Sequence, residues 1–270
     1  MPNLKDKQKL YEELYKKALI KAADDFPTYA RIMAPVIIPE GFVWGRHLQK
    51  LAETLQLVEE GKILRLMVEM APGGSKSSLV TLFESWCLGR HTSWKVLGVS
   101  HSGQLATKFS RFVKDIVSSS DYTKIFPEFP GLRPDVQASG YWYVSKSGGM
   151  FVSAGVGAGI AGERANLAVL DDPLSEQTAE SEMERHKVLE WYGPGLKTRM
   201  LPDARIIIVS TRWRLDDLSG YLLDLEKANP DADKWTRISI PAILDAPAAK
   251  FLDLPEGGSY WPEYWPLEKL

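Results

Sequence analysis

The segment Met70-Ala-Pro-Gly-Gly-Ser-Lys-Ser-Ser78 decides the fold, because it joins an apolar strand-like run to an apolar helical run. Residues 64–70 are predicted as the strand and residues 77–88 as the helix. A glycine-rich turn at the start of a helix presents backbone N–H groups and a positive dipole end, which together bind phosphate. The segment therefore predicts a nucleotide-binding loop. The alternative is a glycine and serine turn that happens to contain a lysine.

In this loop the backbone N–H groups of residues 73–76 are candidates to surround a β-phosphate, and the Lys76 ammonium is the candidate to contact the β and γ oxygens. The Ser77 hydroxyl is the candidate to complete a Mg²⁺ shell. The sequence departs from the pattern G-x-x-x-x-G-K-[ST], which has glycine at the positions of Met70 and Ser75. The candidate ATP-binding residues of the loop are Pro72, Gly73, Gly74, Ser75, Lys76, Ser77 and Ser78.

A second signal is Leu167-Ala-Val-Leu-Asp-Asp172, an apolar strand-like run that ends in two acids. Asp171 is the candidate to orient the water shell of Mg²⁺, and Asp172 the candidate to polarise the attacking water. Two neighbouring carboxylates at a strand end repel each other unless a cation neutralises them. For one of the two, a helix N-cap before Pro173 is the alternative.

A third signal is Ile206-Ile-Ile-Val-Ser-Thr-Arg-Trp213, a buried type of strand that ends in hydroxyls and a cation. Ligands of open α/β sheets bind at the carboxyl ends of such strands. Ser210 and Thr211 are therefore candidates to sense the γ-phosphate or its water. The alternative is a strand end in which Arg212 forms a structural ion pair.

Strand-like and helix-like segments alternate along the chain. The strand-like runs lie at 64–70, 95–100, 141–145, 150–153, 166–170 and 205–210, with a weaker one at 235–240. The helical patterns lie at 77–88, 103–117, 180–191 and 215–227. This alternation predicts an α/β domain with a mainly parallel central sheet flanked by helices. The strands between the loop and the Asp-Asp pair favour the additional-strand class of P-loop NTPases.

Composition excludes several other classes. The net charge of -2 means that contact with nucleic acid has to come from a local basic patch. A single cysteine excludes an internal disulfide framework, and no zinc-ligand spacing or serine-hydrolase elbow is present. The longest uncharged stretch is too short to span a bilayer. Lys108, Arg111 and Lys114 are weak candidates for DNA binding, with a solvated helix face as the alternative reading.

The region from Ser153 to Leu222 resembles the ATPase domain of the large terminase subunit of tailed bacteriophages. The segments that carry the resemblance are Gly162-Glu-Arg-Ala, Leu170-Asp-Asp-Pro173, Ala179-Glu-Ser181, Thr198-Arg199 and Ser210-Thr-Arg-Trp-Arg-Leu-Asp-Asp-Leu218. It extends upstream to His47, Ser100-His-Ser102 and Ile125-Phe-Pro127, and downstream to Trp261-Pro-Glu263. The resemblance implies a viral motor that hydrolyses ATP to move double-stranded DNA into a procapsid.

The resemblance also implies roles for single residues. Lys76 and Ser77 become the phosphate and Mg²⁺ residues, Asp171 the Walker B acid, and His47 a further ATP-binding residue. The coupling motif, which links hydrolysis to movement, is Ser210, Thr211 and Arg212. The candidates for the catalytic carboxylate are Asp172 and, because many relatives have glutamate at that position, Glu176 or Glu180. Arg164 is the candidate for an arginine finger that acts in trans.

Partners and location follow from the same resemblance. It implies ATP and Mg²⁺ as cofactors, and double-stranded DNA, the portal protein and the small terminase subunit as partners. The chain would form a homo-oligomeric ring on the portal, with a monomer in isolation as the alternative. It would work in the host cytoplasm, transiently docked on the procapsid. A helicase-like P-loop motor and a catalytically degenerate P-loop scaffold are the alternative functions.

Three segments are expected along the chain. Residues 1–58 are predicted to form a helical segment that packs on the ATPase core, and residues 59–245 the core itself. After Ile240 the chain becomes rich in Pro, Ala and Trp, which is typical of a wrapping segment or a linker. Since large terminases usually carry a nuclease after the ATPase, residues 246–270 are interpreted as a linker toward an absent nuclease domain. No nuclease activity is expected from this chain.

Overall fold

Runs of apolar and β-branched residues form the central sheet of the computed structural model, which describes residues 4–160, 162 and 164–270. Its eight strands are β1 (Arg65–Met70), β2 (Lys95–Ser100), β3 (Leu132–Ala138), β4 (Tyr141–Val144), β5 (Met150–Gly155), β6 (Ala165–Asp171), β7 (Met200–Ser210) and β8 (Thr236–Ile240). The strand order is β3-β4-β5-β2-β6-β7-β1-β8. Six neighbouring strands of this order pair in parallel, namely β5, β2, β6, β7, β1 and β8. Strands β3 and β4 are added in antiparallel orientation beside β5. The predicted α/β domain with a mainly parallel sheet is confirmed.

Helices cover both faces of the sheet. They are α1 (Leu4–Ala22), α2 (Phe26–Met33), α3 (Arg46–Glu59), α4 (Lys76–Arg90), α5 (Gly103–Val117), α6 (Ser120–Ile125), α7 (Glu176–Ala179), α8 (Glu182–Glu190), α9 (Leu218–Ala228) and α10 (Ala246–Leu252). One core joins α2, α3 and α4 through fully buried side chains such as Phe26, Leu48 and Trp86. The second core, which includes Leu170 and Leu222, lies on the other face.

The described part of the chain contains no helix with the length and apolar character that a transmembrane segment needs.

The described residues of the connection from β5 to β6 form no helix, and Ile160 among them lies on the second face. Since both strands run parallel to β2, the chain has to return from the carboxyl edge of the sheet to its amino edge. Ile160 of this crossover is buried in the second core, and the Trp191 indole N–H donates to the carbonyl of Ala158 at 3.0 Å. The glycine-rich crossover therefore delivers Arg164 to the amino edge, immediately before β6.

Among the differences from the sequence-based expectation, those of β3 and α8 have a clear physical reason. Strand β3 was not predicted, because Pro134 interrupts its pattern; a proline without an N–H is tolerated at this edge of the sheet. The helix predicted at 180–191 begins at Glu182 and changes at Trp191 to a π-helical turn that contains Pro194. Proline cannot donate the backbone bond that a regular helix requires.

Residues 246–270 pack on the core, unlike a free linker. Leu252, Tyr260 and Trp261 are buried in the same core as α3 and α4. Arg46, in the first turn of α3, forms an ion pair with Asp253 at 2.6 Å. The aromatic side chains of this segment are large apolar surfaces, and their burial explains why the segment wraps around the core. Of the two interpretations of this part of the chain, a wrapping segment or a linker, these contacts agree with the wrapping segment.

Candidate functional site

The loop between β1 and α4 has the backbone of a phosphate-binding turn although its sequence departs from the common pattern. Ser75 has a φ of 59° and Gly73 a φ of 76°, so both are left-handed. Ser75 thus adopts the conformation for which glycine is usually needed. Met70 is the last residue of β1, paired with Ile240, and its side chain lies directly beneath Gly74. The turn therefore forms although Met70 and Ser75 stand where the common pattern has glycine.

The ammonium of Lys76 lies at the centre of the site, in the first turn of α4. Its Nζ donates to the Thr211 hydroxyl at 2.9 Å and lies 3.4 Å from Oδ2 of Asp172. Lys76 is buried, so its charge is compensated mainly by these groups. Three residues predicted from three separate motifs therefore meet within hydrogen-bond or ion-pair distance.

Ser77 and Asp171 form the second contact of the site. The Ser77 hydroxyl donates to Oδ1 of Asp171 at 3.0 Å. Burial and the neighbouring charge of Asp172 raise the pKa of Asp171 to about 7, although Ser77 and Lys76 oppose the shift. Glu84, on the next turns of α4, is also buried, and this burial together with the charge of Asp171 raises its pKa well above the usual value. Glu84 carries no local signal of a functional site, since it lies within an apolar helical run.

Asp172 is held by its backbone as well as by its side chain. Its φ of 45° is left-handed, and its N–H donates to the Val209 carbonyl at 2.8 Å. Its carbonyl accepts from the N–H of His101 at 3.1 Å. Oδ1 accepts the N–H of Thr211 at 2.7 Å, which leaves Oδ2 directed toward Lys76. The ends of β2, β6 and β7 together fix the orientation of this carboxylate.

The other two candidate carboxylates lie outside this cluster. Glu176 is exposed in the first turn of α7, and Glu180 is exposed at the end of that helix, where it contacts Arg214. Of the three, the structure brings Asp172 to Lys76. Asp172 is therefore the candidate carboxylate that lies beside Lys76 and Thr211.

Arg212 is occupied by structural contacts. Its guanidinium contacts Glu69 and lies 2.7 Å from Oδ2 of Asp217, and it also donates to the carbonyl of Leu215 at 3.1 Å. Glu69 is buried on β1 and accepts Arg237 of β8 as well. These contacts correspond to the alternative reading of Arg212 as a structural ion pair. The signal that sequence reasoning missed is Glu69, a charged residue within an apolar strand.

Ser210 is the last residue of β7, and the next residue, Thr211, contacts Lys76. Its hydroxyl is buried and has no hydrogen-bond partner among the residues that the structure describes. The two hydroxyl residues of the predicted coupling motif are thus placed differently. Thr211 contacts Lys76, whereas the Ser210 hydroxyl is buried without a partner among the described residues, although both residues line a small cavity with Leu174 and Leu218.

His47 supports the loop from beneath. It is fully buried, and its Nε2 lies 3.2 Å from the carbonyl of Gly74, so Nε2 carries the proton and donates. Burial lowers the pKa of His47 to about 4. Its ring packs against Trp261, with the ring centroids 4.7 Å apart. His47 therefore contacts the backbone of the loop, and any contribution to nucleotide binding would go through Gly74.

Arg164 lies at the other edge of the sheet. It is exposed and directly precedes β6, while Asp171 ends that strand. Seven residues at about 3.3 Å each separate the two edges by roughly 23 Å. Arg164 is therefore too far away to contact the P-loop of its own chain.

The basic face of α5 is exposed in part. Lys108 and Arg111 are exposed and Lys114 is half-buried. Lys108 and Arg111 line an open groove of about 730 Å³ that begins at His101. Because the N–H of His101 donates to the Asp172 carbonyl, this groove starts next to the cation cluster.

The fold and these contacts define a P-loop NTPase fold: an α/β sheet with the loop, the Asp-Asp pair and the hydroxyl-ended strand at one edge. No protein-family model and no curated protein matches the chain. Among solved structures it is similar to the large terminase of bacteriophage HK97, with a TM-score of 0.50 and 14% identity over 72% of this chain and 39% of the HK97 chain. The resemblance to large terminases is confirmed at the level of the fold.

A second structural match is a chain of the S. cerevisiae Dbp5 complex with Gle1 and IP6. Its TM-score is 0.41, with 12% identity over 70% of this chain and 45% of that chain. This chain spans about two fifths of the length of the HK97 protein, 39%.

Proposed function

We propose that this chain hydrolyses ATP as the motor domain of a large terminase and drives double-stranded DNA into a procapsid. The observation that carries the hydrolysis is the contact of Lys76 with both Thr211 and Asp172, beside the Ser77–Asp171 pair. A site for ATP hydrolysis needs a cation, a carboxylate near the γ-phosphate and oxygen ligands for a metal. The likeness to the HK97 large terminase supports the packaging role.

Some residues of the site would bind the phosphates, and another would activate the attacking water. The P-loop backbone would hold the phosphates, and Lys76 would exchange its contacts with Thr211 and Asp172 for the phosphate oxygens. Asp172, freed from that ion pair, would accept a hydrogen bond from the attacking water and orient it. Thr211 would then sense the γ-phosphate, because the phosphate would take the Lys76 ammonium away from the Thr211 hydroxyl.

The donor set fits Mg²⁺. A hydroxyl and a carboxylate 3.0 Å apart, Ser77 and Asp171, are the oxygen ligands that this ion prefers. When bound, Mg²⁺ neutralises charge on the β and γ oxygens. Asp171 would have to be ionised to take part, and the raised pKa that burial and Asp172 cause would fall again beside a cation.

DNA and neighbouring subunits are the proposed partners. The groove with Lys108 and Arg111 offers phosphate contacts that start next to His101 and Asp172, so DNA there would lie close to the reacting site. Portal protein, small terminase subunit and a ring of copies would complete the motor. Arg164, at the far edge of the sheet, would then lie against the site of the next copy, and the working location would be a procapsid in the host cytoplasm.

The test is a steady-state ATPase assay with and without double-stranded DNA. We expect slow hydrolysis that DNA and portal protein accelerate, and no hydrolysis by a folded Lys76→Ala variant, because no neutral side chain replaces the phosphate contact. Lys187→Ala, at an exposed ion pair on α8, is the control and should leave the rate unchanged. Full turnover by Lys76→Ala would exclude the P-loop as the active site. Hydrolysis without any response to DNA or portal would exclude the packaging role but keep the ATPase.

A further inference from the structure

Aromatic side chains of the C-terminal segment lie against the outer side of the P-loop. A side chain added at Gly73 would meet Trp265 at 3.9 Å, and one added at Gly74 would meet Tyr260 at 3.3 Å. Trp261 stacks on Tyr264 with 4.6 Å between the ring centroids, and Tyr264 lies edge-on to Trp265 at 5.4 Å. The loop is thus bordered by an aromatic wall, residues 260–265, that the P-loop mechanism does not use.

The order of the strands shows which part of a nucleotide this wall would face. β1 lies between β7 and β8. The γ-phosphate groups Asp172 and Thr211 and the metal carboxylate Asp171 follow or end β6 and β7, so they lie on the β7 side of the loop. A nucleotide that extends from them across the P-loop has to place its nucleoside on the β8 side. The aromatic wall lies on that side, because the N–H of Tyr260 donates at 3.1 Å to the carbonyl of Ala242, two residues after the end of β8.

The wall is fixed before any ligand arrives. The Ser259 hydroxyl accepts the N–H of Trp261 at 3.0 Å and itself donates to the carbonyl of Trp265. The N–H of Trp265 donates to the carbonyl of Trp261 at 2.7 Å. Tyr264 is nevertheless 51% exposed, whereas Trp265 is half-buried and its buried indole N–H has no partner among the described residues. A rigid aromatic surface with an open face suits stacking of a flat base.

We propose that Trp265 and Tyr264 form the contact surface for the nucleobase of the bound nucleotide. The proposal rests on the proposed ATPase function and adds to it the residues that hold the base. Stacking tolerates any base because every base has a π face, so the wall contributes affinity more than discrimination between bases. Neither residue would take part in the chemical step.

The experiment compares ADP with pyrophosphate, which has the same phosphates but no base, in calorimetric titrations with Mg²⁺. Trp265→Ala should weaken ADP binding by about 5-fold to 100-fold and leave pyrophosphate binding unchanged. Trp265→Phe should restore most of the affinity for ADP, since it restores a ring. Tyr264→Ala should give a smaller loss that is again confined to ADP. Tyr221→Ala, which removes a similarly exposed tyrosine on α9, is the control and should change neither.

Equal losses for ADP and pyrophosphate would mean that the wall only supports the loop, and unchanged ADP binding would mean that the base lies elsewhere; either result overturns the proposal. Failure of the unaltered chain to bind both ligands would overturn the proposed function together with it. Binding of both without any effect of the two substitutions overturns this inference alone.

A second measurement needs no substitution. Irradiation of the unaltered chain with 8-azido-ADP should label the tryptic peptide of residues 251–269, which holds the wall and contains no internal Lys or Arg. Excess ADP should prevent this labelling. Label on any other peptide, with this one unlabelled, would overturn the proposal even if Trp265→Ala failed to fold.

Discussion

The cationic side chains at the two edges of the parallel sheet differ in burial and in ion pairing. At the carboxyl edge, Lys76 lies between Thr211 and Asp172 and is buried. At the amino edge, Arg164 and Arg199 directly precede β6 and β7, and neither has an ion pair with any residue that the structure describes. The first edge is a site assembled within one chain. At the second edge, Arg164 is exposed, whereas Arg199 is half-buried and its Nε is buried without a hydrogen-bond partner among the described residues.

The unlike residues of the two edges allow copies of this fold to pair edge to edge. Asp171 and Asp172 lie at the carboxyl edge, where a nucleotide would add further negative charge, whereas Arg164 is exposed at the amino edge. Contact between such unlike edges joins copies head to tail, and a head-to-tail interface closes into a ring when the rotation allows it. The comparison therefore predicts that the amino edge matters for activity only when copies meet.

Arg164→Ala tests this with the largest expected effect. An arginine supplied in trans stabilises charge on the transferred phosphoryl group and contributes about 10³ to 10⁵ in rate. Under conditions of assembly, ATPase activity per chain should rise with protein concentration, and the substitution should remove that rise. Nucleotide binding should not weaken, because the finger acts in the transition state. Steady-state rates over a concentration series are the measurement.

Mixing provides the decisive control. Lys76→Ala subunits keep the arginine and Arg164→Ala subunits keep the P-loop, so their mixture should regain part of the activity. Lys197→Ala is the matched change at the same edge, since that lysine is paired with Asp233 at 3.0 Å, and it should have little effect. A concentration-independent rate with no rescue would assign Arg164 to the surface and make Arg199 the next residue to test.

Asp172→Asn tests the carboxyl edge itself. The amide keeps the acceptor for the N–H of Thr211 but removes the charge that orients and activates water. The chemical step should slow by about 10² to 10⁴, while ADP still binds. Single-turnover rates and ADP titrations separate the two effects.

Glu176→Gln and Glu180→Gln are the controls for Asp172. Both residues are exposed and outside the cluster, so hydrolysis should persist in both variants. Retained turnover in Asp172→Asn together with loss in either glutamine variant would move the catalytic role to that glutamate.

Much of the carboxyl edge could be predicted from sequence because each part is encoded locally. An apolar run that ends in polar residues marks both the strand and the edge at which those residues meet, as for Asp171 and Thr211. The contact of Arg212 with Glu69 could not be predicted, because it joins two strands that are far apart in sequence. Strand β3 was missed for a local reason, since Pro134 breaks its pattern.

The placement of the C-terminal segment, in contrast, could not be predicted from the sequence. Its Pro and Trp composition fits a linker and a wrapping segment equally well, because composition does not specify the partner surface. Its placement depends on Gly45, where an added side chain would meet Trp261 at 2.7 Å and His47 at 2.8 Å. Such a close approach is a property of the assembled fold and leaves no signal in the local pattern.

The buried His47 makes stability at the carboxyl edge sensitive to acid. Its pKa is about 4 in the fold and about 6.5 when unfolded, so the folded state binds fewer protons between these values. The stability that neutral His47 contributes is thus present above pH 6.5 and is lost as the pH falls toward 4, by about 3 kcal/mol. Urea unfolding at a series of pH values measures this loss.

His47→Gln is the variant for that measurement, because it keeps an N–H for the Gly74 carbonyl but does not titrate. Its free energy of unfolding should fall less between pH 6.5 and 4 than that of the unaltered chain. His186→Gln, which alters an exposed histidine on α8, should leave the pH dependence unchanged. An identical pH dependence in His47→Gln would show that His47 is not the group responsible.

The smallest expected effect concerns the loop backbone at the carboxyl edge. Ser75 has a φ of 59°, which costs a residue with a side chain about 1 kcal/mol, whereas the crossover to the amino edge uses glycines with φ of 84° and 90° at positions 157 and 162. Ser75→Gly removes that cost and adds some unfolded-chain entropy, so the free energy of unfolding should rise by about 0.5 kcal/mol. Ser78→Gly, inside the first turns of α4, should instead lower it by about 0.5 to 1 kcal/mol. Urea unfolding of the two variants checks the opposite signs. If both variants lost stability equally, the left-handed serine would carry no strain, and the loop would hold its shape by contacts such as that of His47 with Gly74.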